Sequence, residues 1–245
     1  MTRPIEYLVP QWPAPACVRA VSTTRLGGSS TGNWRGLNLA LHVGDDAACV
    51  AENRRRLAAQ LQLPASPGWL TQVHGTQVCE LPSPGACTAD AATSARPGQV
   101  CVVMTADCLP VLFSDRDGGR VAAAHAGWRG LAAGVLERSV ACFEDPGRVF
   151  AWLGPAIGPE AFEVGEEVRA AFVGTDPAAA AAFQRNRRGR WQADLYTLAR
   201  RRLQRAGVAE IYGGGLCTHS DAGRFYSFRR DGITGRMASL IWIQP

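Results

Sequence analysis

The sequence predicts one α/β domain that spans residues 1–245. Short β-branched apolar runs typical of buried strands, such as QVCVVMTA and RMASLIWIQ, intermingle with segments of helical spacing such as DLYTLARRRLQRAG. No internal repeat and no low-complexity linker divides the chain, and a chain of this length buries an ample core. Helices and strands that intermingle without a linker indicate a single α/β domain rather than two.

The candidate elements follow in chain order. Residues 83–98 are rich in Pro, Gly, Ser and Ala and predict a loop. Strands are predicted from apolar runs at QVCVVMTA, at LPVLFSD with the turn RDGG after it, at RVAAAHA, at RVFAWLG, at AEIYGGGLCTH with its Gly-rich turn, and at RMASLIWIQ. Helices are predicted from apolar spacing and terminal signals at LAAGVLERSVACF, at PEAFEVGEEVRAAFV, at residues 177–183, and at DLYTLARRRLQRAG, which ends at Gly207.

Composition excludes several classes of protein. The formal charge is +5 and every basic residue is arginine, so a lysine Schiff base and a P-loop lysine are both excluded. The positive balance is compatible with anionic substrates such as phosphate but is too diffuse to indicate nucleic acid. No run approaches the roughly 18 apolar residues of a membrane helix, and the N-terminus lacks a signal-peptide core. We therefore expect a cytoplasmic protein with no membrane partner, whose eight cysteines are all reduced.

Three residues carry the candidate chemistry: His74 in TQVHGTQV, Cys108 in TADCLPV and His125 in VAAAHAGWRG. Each lies at or just past the end of an apolar, strand-like run. Two imidazoles and one thiolate suit a Zn²⁺ ion that keeps a fourth position open, whereas a closed structural site favours four ligands with paired spacings such as C-x-x-C, which the chain lacks. Taken singly, the cysteine is more typical of inert packing and His74 of a structural histidine.

Four further residues are candidates for proton transfer and substrate contacts. Asp107 beside Cys108 can orient a ligand or transfer a proton. Arg129 lies in GWRG at a predicted helix start and can bind phosphate. Arg25, before a Gly-Gly-Ser-Ser turn, can belong to an anion-binding loop, and Arg229 in FYSFRRDGITGR can stack on a base or grip a phosphate. A strand-to-helix turn, a flexible hairpin and a salt-bridged surface turn are the simpler explanations of the three arginines.

Other interpretations stay open at this level. Cys108 and a histidine could form the nucleophile and base of a metal-free cysteine hydrolase, because the sequence does not distinguish a thiolate ligand from a thiolate nucleophile. The basic run RNRRGR at residues 185–190 favours a solvated loop, with nucleic-acid binding as the alternative. Of the two remaining histidines, His42 is expected to form hydrogen bonds in a turn and His219 to be solvated.

Seven segments in order resemble one family over nearly the whole chain: STTRLGGSS, NLALHVGDD, TQVHGTQV, TADCLPVLF, AAHAGWRG, GPAIGPEAFEVG and FYSFRRDGITGR. This is the laccase-domain family, labelled polyphenol oxidase and also purine nucleoside phosphorylase. The resemblance implies a single-domain layered α/β/β/α sandwich with mixed sheets. It also implies a catalytic zinc on His74, Cys108 and His125, phosphorolysis of adenosine, inosine and methylthioadenosine, and adenosine deamination. Ala156 stands where family members often have a cysteine, which leaves the three ligands unaffected.

The number of histidines tests the oxidase label. A multicopper oxidase combines a His₂Cys copper site with a three-copper cluster, which together need about ten histidines, many in H-x-H pairs. This chain has four histidines and no H-x-H pair, so it cannot build that enzyme. A single Cu²⁺ ion in the His₂Cys site, as in a single-copper polyphenol oxidase, remains an alternative to Zn²⁺.

Overall fold

The computed structural model describes residues 4–245. Within that range the chain forms fifteen strands: β1 Tyr7–Leu8, β2 Val18–Thr23, β3 Leu70–Thr71, β4 Val78–Glu80, β5 Cys87–Thr88, β6 Ala91–Ser94, β7 Val100–Thr105, β8 Leu109–Asp115, β9 Val121–Ala126, β10 Val149–Leu153, β11 Glu163–Val164, β12 Phe183–Arg185, β13 Trp191–Ala193, β14 Glu210–Gly213 and β15 Met237–Ile243. The helices in the same range are α1 Ala47–Leu61, α2 Trp128–Ala133, α3 Val135–Val140, α4 Glu166–Val173, α5 Leu195–Arg205 and α6 Phe228–Asp231, with 3-10 turns at Gly32–Trp34, Pro146–Arg148 and Pro177–Ala182.

Two large sheets form the centre of the fold. One has four strands in the order β1-β2-β15-β7, all antiparallel. The other has six strands in the order β14-β10-β8-β9-β6-β4 and is mixed, because β14 runs parallel to β10 and β4 runs parallel to β6. Strands β11, β13 and β12 form a small third sheet, and β3 pairs with β5. In the two large sheets, β7 to β10, β14 and β15 are the apolar runs predicted from the sequence, whereas β1, β2, β4 and β6 were not predicted as strands.

Alternation along the strands builds the layers. In β15, Ile241 points into the core between the two sheets, while its neighbour Leu240 packs on the opposite face with Leu57 of α1. In β8, Leu112 joins the core between the sheets and Phe113 packs under the helices α2 to α5. The chain is therefore layered as helix, sheet, sheet and helices, which confirms the single-domain α/β/β/α architecture.

Several boundaries differ from the sequence prediction for local reasons. The helix predicted at LAAGVLERSVACF is broken into α2 and α3 by Gly134, whose φ of 103° lies in the left-handed region. The helix predicted at PEAFEVGEEVRAAFV is helical only over α4, because Glu163 and Val164 pair with β13. Residues 177–183 form a 3-10 turn that ends at Ala182 rather than an α-helix. Residues 83–98, predicted as a loop, contain β5 and β6.

Helix α1 and a disulfide are among the features that the sequence prediction missed. Helix α1 begins after Asp46, whose Oδ1 accepts a hydrogen bond from the Ala48 N–H at 2.8 Å. Cys79 and Cys87 form a disulfide, so the expectation that all eight cysteines are reduced is wrong for this pair. The reason is that the loop between β4 and β5 turns the chain back and brings the two Cα atoms to 6.3 Å. Between residues 4 and 245, no helix has the length and apolarity that crossing a membrane requires.

The core between the sheets gives a test of this layering. Ile241 is fully buried there, whereas the side chain of Ile233 is 59% exposed. We predict that Ile241→Ala lowers the free energy of unfolding by about 2–5 kcal/mol, because it leaves a cavity between the sheets. The matched change Ile233→Ala is expected to stay within about 0.5 kcal/mol of the wild type. Urea denaturation of both variants at a fixed metal concentration checks this, and equal losses would contradict the layering.

Candidate metal centre

Strand pairing brings two of the three predicted ligands together. Strands β8 and β9 are antiparallel neighbours, and Pro110 of β8 stands opposite His125 of β9. Cys108 directly precedes β8, so it reaches the same end of the sheet as His125. His74 arrives from the loop between β3 and β4. His125 is buried, Cys108 is half-buried and His74 is exposed, so the group faces outwards on the His74 side.

The three ligand atoms lie within 4.8 Å of one another. Sγ of Cys108 is 3.8 Å from Nε2 of His74, and the two imidazole rings meet edge to face with centroids 4.7 Å apart. Around a tetrahedral Zn²⁺ with bonds of about 2.0–2.3 Å, ligand atoms are separated by roughly 3.3–3.8 Å. The group can therefore hold one metal ion after side-chain movements of about 1 Å or less.

The carboxylate of Asp90 joins both histidines and was missed by the sequence analysis. Its Oδ1 accepts hydrogen bonds from Nδ1 of His125 at 2.8 Å and from the backbone N–H of His74 at 2.9 Å. Its Oδ2 accepts from the N–H groups of Val73 at 3.1 Å and Gly75 at 2.6 Å. A carboxylate on Nδ1 leaves Nε2 of the imidazole to face a metal, which is the usual arrangement of a ligating histidine. Asp90 is fully buried just before β6, the neighbour of β9.

Position 127 requires glycine because a side chain would collide with its neighbours, not because of its backbone conformation. Its φ of −62° is open to any residue. A Cβ atom at this position would lie 2.8 Å from Cδ2 of His74 and 2.9 Å from Sγ of Cys108. The glycine after the β9 strand thus allows His74 and Cys108 to approach each other, and this explains the first glycine of the motif HAGWRG.

Two residues of the centre have positive φ angles, which is uncommon for residues other than glycine. His74 has φ 60° and Asp107, next to Cys108, has φ 94°. The cost of this backbone conformation at Asp107 is offset by its carboxylate, which accepts hydrogen bonds from Thr218 Oγ1 and from the backbone N–H of Arg229, both at 2.6 Å. Asp107 therefore holds the Cys108 turn in place, and its side chain is committed to these two donors rather than to the cavity.

The pKa values describe an ion pair in the metal-free group. Burial alone would raise the pKa of Cys108, but attraction by His125, and then the hydrogen bonds from His125 and His74, lower it to about 6. Burial alone would lower the pKa of His125, but the Cys108 thiolate and Asp90 raise it to about 9. Burial alone would raise the pKa of Asp90, but the hydrogen bonds from His125 and from the Gly75 backbone hold that pKa below its usual range. A thiolate is thus available to a metal at neutral pH.

A cavity of about 240 Å³ opens beside the three residues. Besides the ligands, it is lined by His42, Gln72, Met104, Thr105, Ala106, Phe228 and Arg236. Arg236 directly precedes β15, whose Met237 pairs with Thr105, so strand pairing brings this arginine to the Cys108 end of the sheet. Its Nη1 donates to the carbonyls of Thr234 and Gly235, and within residues 4–245 no protein acceptor bonds its Nε or Nη2. Sequence reasoning missed Arg236 because the pairing of β15 with β7 is not visible in the sequence.

The three arginines predicted as substrate contacts do not line this cavity. Arg129 is exposed and its Cζ lies 4.5 Å from the Trp128 ring centroid. The reason is helical geometry, because successive residues turn by about 100°, and a residue two positions after Gly127 points away from the site. Arg25 donates to the carbonyls of Ala222 and Arg35 in a separate groove, and Nη1 of Arg229 donates to the carbonyl of Glu163.

The other predicted positions fall outside the group or at its margin. His42 lines the cavity, and burial followed by the charges of Arg236 and Arg54 lowers its pKa. His219 is half-buried in the turn after β14, and its carbonyl accepts from Nη1 of Arg230. The basic run 185–190 forms the hairpin between β12 and β13, where Arg188 pairs with Glu163 at 2.6 Å.

Residues 19–244 match the family described as multi-copper polyphenol oxidoreductase laccase. A purine nucleoside phosphorylase of Pseudomonas aeruginosa is 57% identical over 240 residues, which cover 97% of this chain and 98% of that protein. The purine nucleoside phosphorylase YfiH of Escherichia coli is 55% identical over 241 residues, covering 97% and 99%. A crystal structure of a Neisseria meningitidis protein is similar with a TM-score of 0.93 and 49% identity, covering 98% of this chain and 99% of that one.

The role of Asp90 gives a prediction about metal affinity. Asp90→Asn is expected to weaken Zn²⁺ binding by about 10- to 100-fold, because an amide holds the His125 imidazole and the 73–75 loop less firmly than a carboxylate does. The matched change Asp46→Asn, at the exposed cap of α1, should leave the affinity unchanged, since asparagine also caps helices. Competition with a chromogenic chelator measures both. Equal affinities for the two variants would show that Asp90 does not support the centre.

The ion pair gives a second prediction, on pH. Zinc ligation needs a thiolate and a neutral imidazole. Between pH 6 and 9, set by the pKa of Cys108 at about 6 and that of His125 at about 9, the Cys108 and His125 pair holds one proton, on His125, that the metal must displace. Apparent Zn²⁺ affinity should therefore increase about tenfold per pH unit across this window, and fall more steeply below it as Cys108 also protonates. Chelator competition at several pH values tests this, and a flat profile would contradict it.

Proposed function

We propose that this chain, which belongs to the family described as multi-copper polyphenol oxidoreductase laccase, is a zinc-dependent purine nucleoside phosphorylase. The proposed substrates are adenosine, inosine and methylthioadenosine, which phosphate would cleave to the free base and the ribose 1-phosphate or its methylthio analogue. Relatives at 55–57% identity carry the name purine nucleoside phosphorylase. The observation that carries the proposal is that the His74, Cys108 and His125 group shares one cavity with the guanidinium of Arg236.

The donor set fits one zinc ion better than the copper enzyme of the family description. The four histidines of the sequence include only two in the His-Cys-His group, and no further group of ligands is formed in the described residues. Two imidazoles and one thiolate fit a catalytic zinc site, which has three nitrogen, sulfur or oxygen ligands from the protein and one open position, whereas a multicopper oxidase would need a separate copper cluster. His74, Cys108 and His125 would hold Zn²⁺, which would supply a Lewis acid to the cavity that they line.

The residues of the cavity have separate tasks in the proposed reaction. Arg236 would bind phosphate through Nε and Nη2, which no acceptor within residues 4–245 engages, and His42 lines the same cavity. Positioning the phosphate beside the nucleoside lowers the entropic cost of attack on the anomeric carbon. Asp90 and Asp107 are positioning residues, because each carboxylate is committed to holding a ligand loop. A cytoplasmic location and adenosine deamination remain parts of the proposal that rest on the sequence and on the family resemblance.

One observation favours a second candidate function. Cys108 and His125 form a thiolate and imidazolium pair, and such a pair is also the nucleophile and base of cysteine hydrolases. Against it, His74 brings a second imidazole to the same thiolate at 3.8 Å, which a hydrolase does not need and a metal site does. The metal-dependent reaction therefore accounts for all three residues, whereas a hydrolase would use only two of them.

Cys108→Ser separates the two candidates. Serine is nearly the same size, so the fold should survive, but its hydroxyl stays protonated near neutral pH and is a poor zinc ligand. We predict that wild-type protein converts adenosine or inosine only when phosphate is present and that the variant loses most bound zinc and most turnover. Metal analysis and product identification on the same preparation measure both. Turnover by zinc-free wild-type protein, lost in Cys108→Ser, would favour the metal-free hydrolase, and phosphate-independent release of base would contradict phosphorolysis.

The two candidate phosphate ligands can be compared directly. Arg236→Ala is expected to raise the KM for phosphate by about tenfold or more while changing the KM for nucleoside less, because a charge-assisted contact is worth about 1.5–3 kcal/mol. Arg129→Ala, which the sequence motif suggested but which removes a guanidinium stacked on Trp128, should leave the phosphate KM unchanged. Steady-state kinetics with varied phosphate distinguish them. A raised phosphate KM in Arg129→Ala with an unchanged one in Arg236→Ala would instead assign phosphate binding to the GWRG turn.

A further inference from the structure

Phe228 is an aromatic side chain in an unusual place. It is 58% exposed, and it lines the cavity that contains His74, Cys108 and His125. Because the exposed ring lines this cavity, a ligand bound there would gain the burial of apolar area by covering it. Two other exposed apolar side chains, Leu41 and Val73, each 56% exposed, directly precede the cavity-lining residues His42 and His74.

The exposed ring stands on a fixed backbone. Phe228 begins α6, where Ser227 Oγ accepts a hydrogen bond from the Arg230 N–H at 3.2 Å. The Arg230 guanidinium donates to the carbonyls of Thr218, His219 and Phe225 at 2.8–3.0 Å. These bonds tie the segment around Phe228 to the buried Phe225 and Thr218. The ring is therefore presented to the cavity by an anchored segment rather than left exposed by a loose one.

The same segment is connected to the metal centre through Asp107. The Asp107 carboxylate accepts from the backbone N–H of Arg229 at 2.6 Å, and Asp107 is the residue next to Cys108. Arg236, the proposed phosphate ligand, has its Cζ 5.7 Å from the centroid of the Phe228 ring. An aromatic surface, a cation and the metal-ligating group are thus held in fixed relation around one cavity.

The size of the cavity indicates where a nucleoside would extend. About 240 Å³ lies below the roughly 300–1,000 Å³ typical of sites that enclose a small molecule. Phosphate and the reacting sugar would occupy the interior beside Arg236, and the base would project over the mouth. The exposed apolar surface that lines the cavity there is the ring of Phe228.

We propose that Phe228 is the side chain on which the purine base of the substrate stacks, and that it favours purine over pyrimidine nucleosides because a bicyclic base covers more of its ring. This inference rests on the proposed function and names the specificity-determining residue of that site. Stacking on an aromatic side chain needs no hydrogen bond to the base edge, so adenine and hypoxanthine nucleosides would both be accepted.

Phe228→Leu tests the inference in the full-length, zinc-loaded protein. The variant is expected to raise the KM for inosine by about tenfold or more, the effect of losing one stacked base, while its zinc content and its KM for phosphate stay at wild-type values. Phe228→Tyr keeps the stacking face and should restore the wild-type KM. Val9→Ala removes an equally exposed apolar side chain outside the cavity and serves as the control.

A direct titration with free adenine separates this inference from the proposed function. If wild-type protein binds adenine and Phe228→Leu binds it about tenfold or more weakly, the stacking site stands, even where no phosphorolysis is found. If the wild type cleaves inosine but Phe228→Leu has unchanged KM and unchanged adenine affinity, the inference is overturned and the proposed function remains. If the wild type neither cleaves inosine nor binds adenine, both are overturned.

Discussion

The buried carboxylate of Asp90 is the group on which the candidate centre depends. It accepts hydrogen bonds from three consecutive backbone N–H groups of the His74 loop and from the imidazole of His125, although these two segments belong to different parts of the chain. The cost of burying a charge is offset because each oxygen has two donors. Its backbone carbonyl also accepts a hydrogen bond from the His125 N–H at 2.7 Å, which extends the pairing of β6 with β9.

The layered fold explains why the chemistry collects at one end of the sheets. The loop between β3 and β4, the turn between β7 and β8, the end of β9 and the start of β15 all meet there. Two of these connections contain residues at positive φ, His74 and Asp107, and each is held by hydrogen bonds to a carboxylate. These buried hydrogen bonds offset the cost of the two unfavourable backbone conformations, which are common at functional sites. Gly127 supplies the space in which His74 and Cys108 approach each other.

The central strands of this fold, its layered class and the three candidate ligands could be predicted from the sequence. Apolar runs predicted β7 to β10, and Cys108 and His125 were identified because each is a residue of metal-ligating type at the end of such a run. Asp90, Arg236 and Phe228 could not be found in this way, because their roles depend on which strands are neighbours. Asp90 did leave a signal, as a carboxylate between Ala89 and Ala91 in the segment read as a loop. The Cys79–Cys87 disulfide was missed because closure of the β4 to β5 loop is a tertiary feature.

The central claim is that His74, Cys108 and His125 bind one metal ion whose ligands Asp90 holds in place. Crystals of the protein grown with stoichiometric Zn²⁺, measured on both sides of the zinc absorption edge, test it most directly. The account predicts one anomalous peak within about 2.0–2.3 Å of the Cys108 sulfur and of one nitrogen of each histidine, with Nδ1 of His125 still bonded to Asp90. A peak elsewhere, or none at this group with zinc present, would contradict it.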